Sequence, residues 1–321
     1  MKKILAMLLL TSLTAGIFAL PNLLKKEEFG ADAIENIEVD FSSEDLIVKE
    51  TYDTSCIEVE TYCNYKKYAP DVAVSGSTLY IDSARKNTSF FPEPTGFSCT
   101  VIIYVPQKKD FDEITFKASS GDLTLQRHLS AKTEIKIQTS SGDIASESGL
   151  FADNIRITAS SGNVELYNVD TDELKINTSS GDIKLRKFTG GTGSVNSTSG
   201  NIKIEDFASE YAQFKSTSGG MSIKKLDCDY FDAKNTSGGM SLELENAPSA
   251  SSSAESTSGD IDLYLPMRAK FSVDVSCTSG TFRDKFNNNR MNPRDSYKMN
   301  YNGGGATIRL QTTSGDITLE Y

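Results

Sequence analysis

The chain has 321 residues, with 33 Lys and Arg against 44 Asp and Glu, a formal net charge of −11, one His, five Cys and no Trp. That acid excess repels phosphate backbones and argues against general nucleic-acid binding, and a single His leaves little material for a His-based metal site or an imidazole base. The hydrophobic fraction of 38% lies below the ~45–50% of ordinary globular chains. The length is ample for a core, so the composition fits a fold that buries narrow columns of side chains better than it fits a thick globule.

Residues 1–26 read as an export leader. Lys2 and Lys3 precede an uncharged, largely apolar run from Ile4 to Leu20, followed by Pro21 and a second basic pair, Lys25 and Lys26. Such a segment belongs to targeting and not to the fold. The run of 17 residues is at the lower edge of the ~17–25 needed to span a bilayer, and Ile17-Phe18-Ala19 is an imperfect cleavage site. Cleavage and retention in the cytoplasmic membrane through residues 4–24 therefore both stay open. In both cases the N-terminal lysines are predicted to stay in the cytoplasm, with the bulk of the chain extracytoplasmic, secreted or anchored and facing outward. No Cys follows the run, which argues against a lipid-modified N-terminus, and the sequence stops inside a repeat at Tyr321, so no C-terminal sorting signal is expected. Without residues 1–19, 31 basic residues face 44 acidic ones, a net −13 that favours solubility.

Residues 34–118 are predicted to form irregular opening coils. Ile37, Val39 and Phe41 alternate, Ser42-Ser43-Glu44-Asp45 imitates a Ser-Ser-Gly-Asp corner that recurs later, and Leu46 and Val48 resume the alternation. A looser excursion is expected near 64–98.

Residues 119–321 carry a regular repeat. Ser-Gly pairs end on Gly121, Gly142, Gly162, Gly181, Gly200, Gly219, Gly238, Gly259, Gly280 and Gly315, at spacings of 21, 20, 19, 19, 19, 19, 21, 21 and 35. Aligned on these glycines, apolar pairs such as Ile135 and Ile137 or Leu174 and Ile176 sit five and seven residues upstream, while the residues four and six upstream are polar in every copy. A period of two means strand. Three upstream the residue is small, as a narrow interior near a corner demands; two upstream it is always Ser or Thr. The glycine is predicted to supply a tight turn through its torsional freedom, and an apolar residue follows two positions later in all ten copies.

Each unit is thus a strand, a Ser-Gly corner, a second strand and a variable return, and one unit cannot bury its narrow apolar side alone. The prediction is an all-β fold, a single-stranded β-solenoid (β-helix) with coils of about 19–21 residues. About 12 coils at ~4.8 Å give a rod of roughly 55–60 Å. A membrane barrel would need a lipid-facing apolar face, a propeller blade ~40 residues, and helical repeats a different period. Tyr104-Val105-Pro106 is echoed by Tyr264-Leu265-Pro266, each leading into a Phe-containing strand and a Ser-Gly corner. The segment 283–305, basic and Asn-rich, is expected to loop out as a hairpin, and the last coil, 306–321, to cap the stack.

The leader, the Val-Pro lead-in, the Thr-Ser-Gly-Asp-Ile corners at 257–261 and 313–317 and the Gly-rich stretch before the last corner together resemble the bacterial putative-adhesin family of β-strand-repeat proteins. This is a domain of unknown function, some members of which belong to cell-envelope stress operons. The resemblance covers residues 34–321. It implies a β-repeat fold in the cell envelope and brings no catalytic residues, since "adhesin" is there a fold-level description.

Candidate chemistry is sparse. The residue after each glycine forms a column including Asp122, Asp143 and Asp182, whose carboxylates could share a hard cation such as Ca²⁺. Asp and Asn also suit turns by bonding local amides, and that structural reading is favoured. The Ser/Thr column from Ser119 to Thr313 reads as a hydrogen-bonded ladder, with a flat hydroxylated surface for sugars as the alternative. A carboxylate pair such as Asp122 and Asp143 could serve a glycan-cleaving site, but any stacked turn makes such a pair. His128 reads as a solvated loop residue. Cys56 and Cys63 are close enough in sequence to bridge, Cys277 sits in the small inward column, and at most one disulfide is expected. No cofactor is expected. The leading expectation is a non-enzymatic exported scaffold presenting a rigid polar surface to an envelope glycan, a surface or a membrane protein, with no nucleic-acid partner. The alternative is an accessory of envelope-stress signalling that binds a membrane sensor; a polysaccharide-active enzyme is the weakest reading.

Overall fold

The computed structural model describes residues 21–84, 94–291 and 296–321. Most of the predicted leader, residues 1–20, lies outside the described residues. Its predicted end does not. Residues 23–26 belong to a strand, Leu23–Gly30, that pairs antiparallel with Cys56–Cys63, so the fold begins before the expected boundary at 26. Among the described residues no helix is long and apolar enough to cross a membrane.

The architecture is all-β and β-solenoid-like. Among the described residues all 25 strands belong to one hydrogen-bonded sheet, with two single-turn 3-10 segments, Ala31–Ala33 and Lys66–Tyr68. The central strands climb in parallel and in register. Ile137 pairs with Ile157, Ile157 with Ile176, Ile176 with Val195, and Val195 with Phe214. On the other side of the corner, Ile144, Val164, Ile183, Ile202, Met221 and Met240 form a second stacked column. Every one of these side chains is at most 3% exposed, and burying each contributes roughly 1.5–3 kcal/mol. The strand period of two places Lys, Gln, Arg and Asn on the outside. Where the core needs rings, it gives up a side chain elsewhere. Gly193 occupies the position of Leu174 and Ala212 in the coils on either side, because a Cβ there would lie 2.3 Å from the Phe207 ring and 2.8 Å from that of Phe188.

The corner glycines are required by a contact between coils more than by torsion. Of the ten, only Gly238 has a φ in the left-handed region, at 129°. A Cβ on Gly142 would lie 1.9 Å from the carbonyl oxygen of Gly121, and one on Gly181 would lie 1.9 Å from that of Gly162. Each corner packs its backbone directly on the corner below. The first coil shows the exception that this contact allows. Glu44 takes the glycine's place below Gly121, and its fully buried carboxylate accepts the amide N–H groups of Ser42 and Ser43 and the hydroxyl of Ser83.

The two ends of the stack differ from the sequence expectation. The last coil is not the cap. Its strand Thr307–Ser314 lies between Ser252–Ser258 on one side and Phe271–Ser279 on the other, so Gly315 sits between Gly259 and Gly280. The outermost coil is the one built on Phe271–Ser279, and the described strands of the segment after it lie against that coil instead of projecting from it. Asn289–Met291 folds back antiparallel on Phe282–Asp284, and Tyr297–Tyr301 on Phe271–Val275. Phe271 and Tyr301 stack at 4.6 Å, and the buried Asp284 accepts the Tyr301 hydroxyl at 2.9 Å. The opening end mirrors this. Asn36–Phe41 lies between Phe111–Ala118 and Thr78–Asp82, and Asp45–Thr51 between Leu123–Leu125 and Cys99–Pro106. Antiparallel strands then close the end: Asp71–Ser75 on Thr78–Asp82, and Cys56–Cys63 on Cys99–Pro106 with Leu23–Gly30 outside it. Arg127, 3% exposed, ties this outer layer down by donating to the carbonyls of Pro106 at 2.7 Å and Gln107 at 3.3 Å. Parallel edges invite further strands; here both are covered by reversed, charged ribbons.

The corner contact makes a direct prediction. Gly181→Ala is expected to lose about 2–4 kcal/mol of stability or to prevent folding. Gly239→Ala, where a Cβ meets nothing within 4 Å, should stay within about 0.5 kcal/mol. Urea unfolding of both variants checks the pair, and equal losses would refute the contact as the cause.

Candidate functional site

Four columns run along the corners, and the structure separates their roles. The small residues three before each glycine line the inside of the corner, and Thr139, Thr178, Ser197, Ser216, Asn235 and Thr312 bond the corner backbone there. The Thr139 hydroxyl accepts the Gly142 N–H at 2.9 Å, Ser197 accepts that of Gly200 at 2.9 Å, and Asn235 donates to the carbonyls of Gly219 and Gly238, each at 3.0 Å. Sequence reasoning found these positions small; their hydrogen-bonding role was signalled by the recurrence of Ser, Thr and Asn among them.

The next two columns carry the exposed hydroxyls, Ser140 and Ser141 on one coil, Ser160 and Ser161 on the next, and so on to Thr313 and Ser314. The predicted side-chain ladder is not made here. The ladder is backbone: Ser160 N–H donates to Thr139 O, and Ser161 N–H to Ser140 O at 2.8 Å. With the main chain satisfied, the hydroxyls of the column from Ser119 to Thr313 face water.

The column after the glycine holds the Asp and Asn residues, and it is a ladder between coils. Asp122 Oδ1 accepts the Asp143 N–H at 2.8 Å, Asp143 that of Asn163 at 2.7 Å, Asn163 that of Asp182 at 3.1 Å, and Asp182 that of Asn201 at 2.8 Å. The partners are amides of the next coil, and not the local amides of an Asx turn. Asp122, Asp143 and Asp182 thus stand one above another with an oxygen of each engaged by backbone, and among the described residues no group of three or more potential ligands is placed to hold a metal. The ladder ends at Gly220, since it and Gly239 carry no acceptor, and resumes where Asp260 accepts the Asp316 N–H at 2.7 Å and Asp316 that of Thr281 at 2.9 Å. His128 is exposed, but its Nδ1 accepts the Gly149 N–H at 2.9 Å.

Outward residues on the strand leading into the corners converge over two adjacent coils. Tyr211 pairs with Tyr230, Gln213 with Asp232, and Lys215 with Lys234. The tyrosine rings stack at 5.0 Å with 16° between their planes, and Gln213 donates to the Tyr211 hydroxyl at 3.3 Å. Beside the lysines runs a groove of about 410 Å³ walled by Thr217, Thr236, Thr257 and Thr313, with Glu255 and Gln311 at its far end. Lys234 leans on Asp232 at 3.4 Å and Glu255 at 3.9 Å, and these two carboxylates raise its pKa. Lys215 has no ion-pair partner among the described residues. A second groove of about 530 Å³ on the strand after the corners is occupied by its own charges. Lys184 pairs with Glu165 at 3.6 Å, Arg186 with Glu205 at 3.5 Å, and Arg186 lies 5.0 Å from the Tyr167 ring centroid. The first face therefore combines an aromatic platform, cations and free hydroxyls. The outward reading of positions four and six before the glycine covers Gln213, Lys215, Asp232 and Lys234 but not Tyr211 and Tyr230; the signal for these is the same Tyr-x-polar-x-Lys-x-Thr order in two consecutive repeats.

The model of the Toastrack DUF4097 family matches residues 34–206 and again 153–320. The chain belongs to this family. Among solved structures, a putative lipid binding protein of Parabacteroides distasonis is 18% identical with a TM-score of 0.53, over 92% of this chain and 96% of that one. A putative adhesin of the same organism is 14% identical with a TM-score of 0.51, over 93% and 97%. At such identities the likeness shows the fold alone. No curated protein matches the sequence.

Two measurements test the Toastrack corner. Asp182→Ala removes the acceptor of two Asn201 donors and should cost about 1 kcal/mol, Asp182→Asn much less, and neither millimolar Ca²⁺ nor a chelator should move the melting temperature of the unaltered protein. A calcium-dependent rise would restore the metal reading. Asp316 tests the sign of the electrostatics. The N–H and hydroxyl of Thr281, with Arg283 beside them, hold its carboxyl below the ordinary range. Its stabilisation is present above about pH 4 and is lost as pH falls through the lowered value, so Asp316→Asn should flatten the acid limb of a stability–pH curve. An unchanged acid limb would refute it.

Proposed function

We propose that the chain is a non-enzymatic, exported scaffold of the cell envelope that binds an envelope glycan along the face bearing Tyr211, Tyr230, Lys215, Lys234 and the threonine hydroxyls. The supporting observation is the in-register pairing of those groups on two coils. A sugar ring needs an apolar surface to lie on and directional polar groups at its rim, and an amphipathic Tyr pair beside hydroxyls, an amide and ammonium groups supplies both. The finer architecture, coils of 19–21 residues turning at Ser-Gly corners, is part of the reading. It repeats the outward groups at the ~4.8 Å strand spacing, which suits a polymer of like units. The names of the two structural neighbours, putative adhesin and putative lipid binding protein, describe binding and not turnover, and they favour a surface setting outside the cytoplasm.

The test is co-sedimentation of the full chain with washed cell walls, with anionic vesicles and alone, at low and high salt. Saturable sedimentation with walls that survives high salt, without release of reducing ends, is the expected result. Tyr211→Ala with Tyr230→Ala should weaken it tenfold or more, about 1.4 kcal/mol, while Lys184→Ala on the other face should leave it unchanged. Binding to vesicles alone would replace the glycan by a lipid surface. Binding to none, with capture of a membrane protein instead, would move the function to envelope-stress sensing, and release of reducing ends would make the protein an enzyme.

A further inference from the structure

The pairing that closeness in sequence allows, Cys56 with Cys63, is excluded by the fold. The two residues are the ends of one strand, Cys56–Cys63, about 23 Å apart at strand rise. Cys63 instead faces Cys99, as the last rung of the antiparallel ladder between Cys56–Cys63 and Cys99–Pro106. The next rung outward is hydrogen-bonded, Asn64 N–H donating to Ser98 O at 3.1 Å, so Cys63 and Cys99 form the narrow, non-hydrogen-bonded rung. Such a rung brings Cα atoms to ~4.5 Å, inside the ~4.4–6.8 Å range of disulfides. The side chains are 5% and 2% exposed; both are free thiols in this structure, that of Cys63 donating to the Tyr65 carbonyl at 3.5 Å. No other pair of the five is so placed: Cys56 faces Gly30, Cys228 pairs with Ser209, and Cys277 with Thr312 at the far end of the stack.

We propose that Cys63 and Cys99 are joined by a disulfide in the exported protein. The inference rests on export and is independent of the glycan reading. Two S–H bonds are broken and one S–S bond is formed. Two electrons and, by way of solvent, the two protons pass through a mixed disulfide to a disulfide oxidant of the exterior compartment, whose S–S bond is broken as it becomes a dithiol. Exchange needs a thiolate, and burial together with the neighbouring Cys63 pushes the Cys99 thiol well up. The bond therefore forms while the two strands are still closing and is shielded afterwards. It closes a loop holding Thr78–Asp82 and the edge strand Asp71–Ser75 of the opening end, where a stack gains least from neighbours. A cross-link there limits fraying by restricting the opened chain.

The full chain, reduced and refolded in a glutathione redox buffer, is unfolded in the presence of an alkylating agent, digested and weighed. The expected result is one linked pair of peptides carrying Cys63 and Cys99, with Cys56, Cys228 and Cys277 alkylated. The oxidised protein should melt about 5–10 °C above the same protein in reductant, and the Cys63→Ser, Cys99→Ser double variant should match the reduced protein. Five alkylated cysteines, or a linkage involving Cys56, would overturn the assignment, as would a linked pair whose reduction leaves the melting temperature unchanged. The comparison of oxidised with reduced wild type keeps the test decisive if the double variant does not fold.

Discussion

The backbone contact of one corner on the next controls the structure. With a Cβ-to-carbonyl distance of 1.9 Å at Gly142 and again at Gly181, the coils approach more closely at the corner than any side chain permits. That approach locks the register of everything attached. Once the corners are superposed, residues at equal distances from them must pair, so Ile meets Ile inside and Lys meets Lys outside. The inward columns are then buried without any choice of partner by shape, and the few departures, such as Gly193 against Phe207, are local exchanges of volume.

This constraint explains what the sequence revealed and what it concealed. Strand direction, the inward and outward columns and the position of the corners follow from residues repeated at a fixed distance from glycine, because a repeated contact leaves a repeated residue. The reason for the glycine was misread, since a clash with another coil and a need for unusual torsions select the same residue. The hydroxyl column was misread for a related cause. Ser and Thr conserved in position can mean a bonded ladder or free hydroxyls, and only the backbone pairing of Ser160 with Thr139 and Ser161 with Ser140 shows which. Cys63 and Cys99 could not be matched by spacing, because their proximity arises from a reversed strand in the irregular opening.

The division of labour at the corners bears on function. Main-chain groups are satisfied by parallel ladders, most inward polar side chains by corner amides and carbonyls, and the Asp column by amides of the next coil. Nothing in the stack then requires the outward side chains for stability. That leaves residues 211–217 and 230–236 free to differ from their neighbours, and they do so by gaining a stacked tyrosine pair beside two lysines. A surface whose groups are dispensable to the fold is where a binding specificity can change without loss of the scaffold.

The ends carry the remaining argument. A parallel stack exposes two unpaired edges, and an added coil of the same kind would only move the edge outward. This Toastrack chain avoids that by reversing direction: the last regular coil at each end is covered by antiparallel ribbons rather than by another coil. The chain's own first and last coils, Asn36–Phe41 and Thr307–Ser314, are held one layer inside, each between two other strands. Neither of these coils can peel away singly, since each must break two ladders to leave. One outermost layer is made of an internal segment, tied by the Asp284 and Tyr301 cluster; the other is made of Asp71–Ser75 and Leu23–Gly30, over strands held by Arg127 and the facing cysteines. The rigidity needed to hold polar groups at fixed spacing along the rod therefore extends to its ends, where solenoids are otherwise weakest.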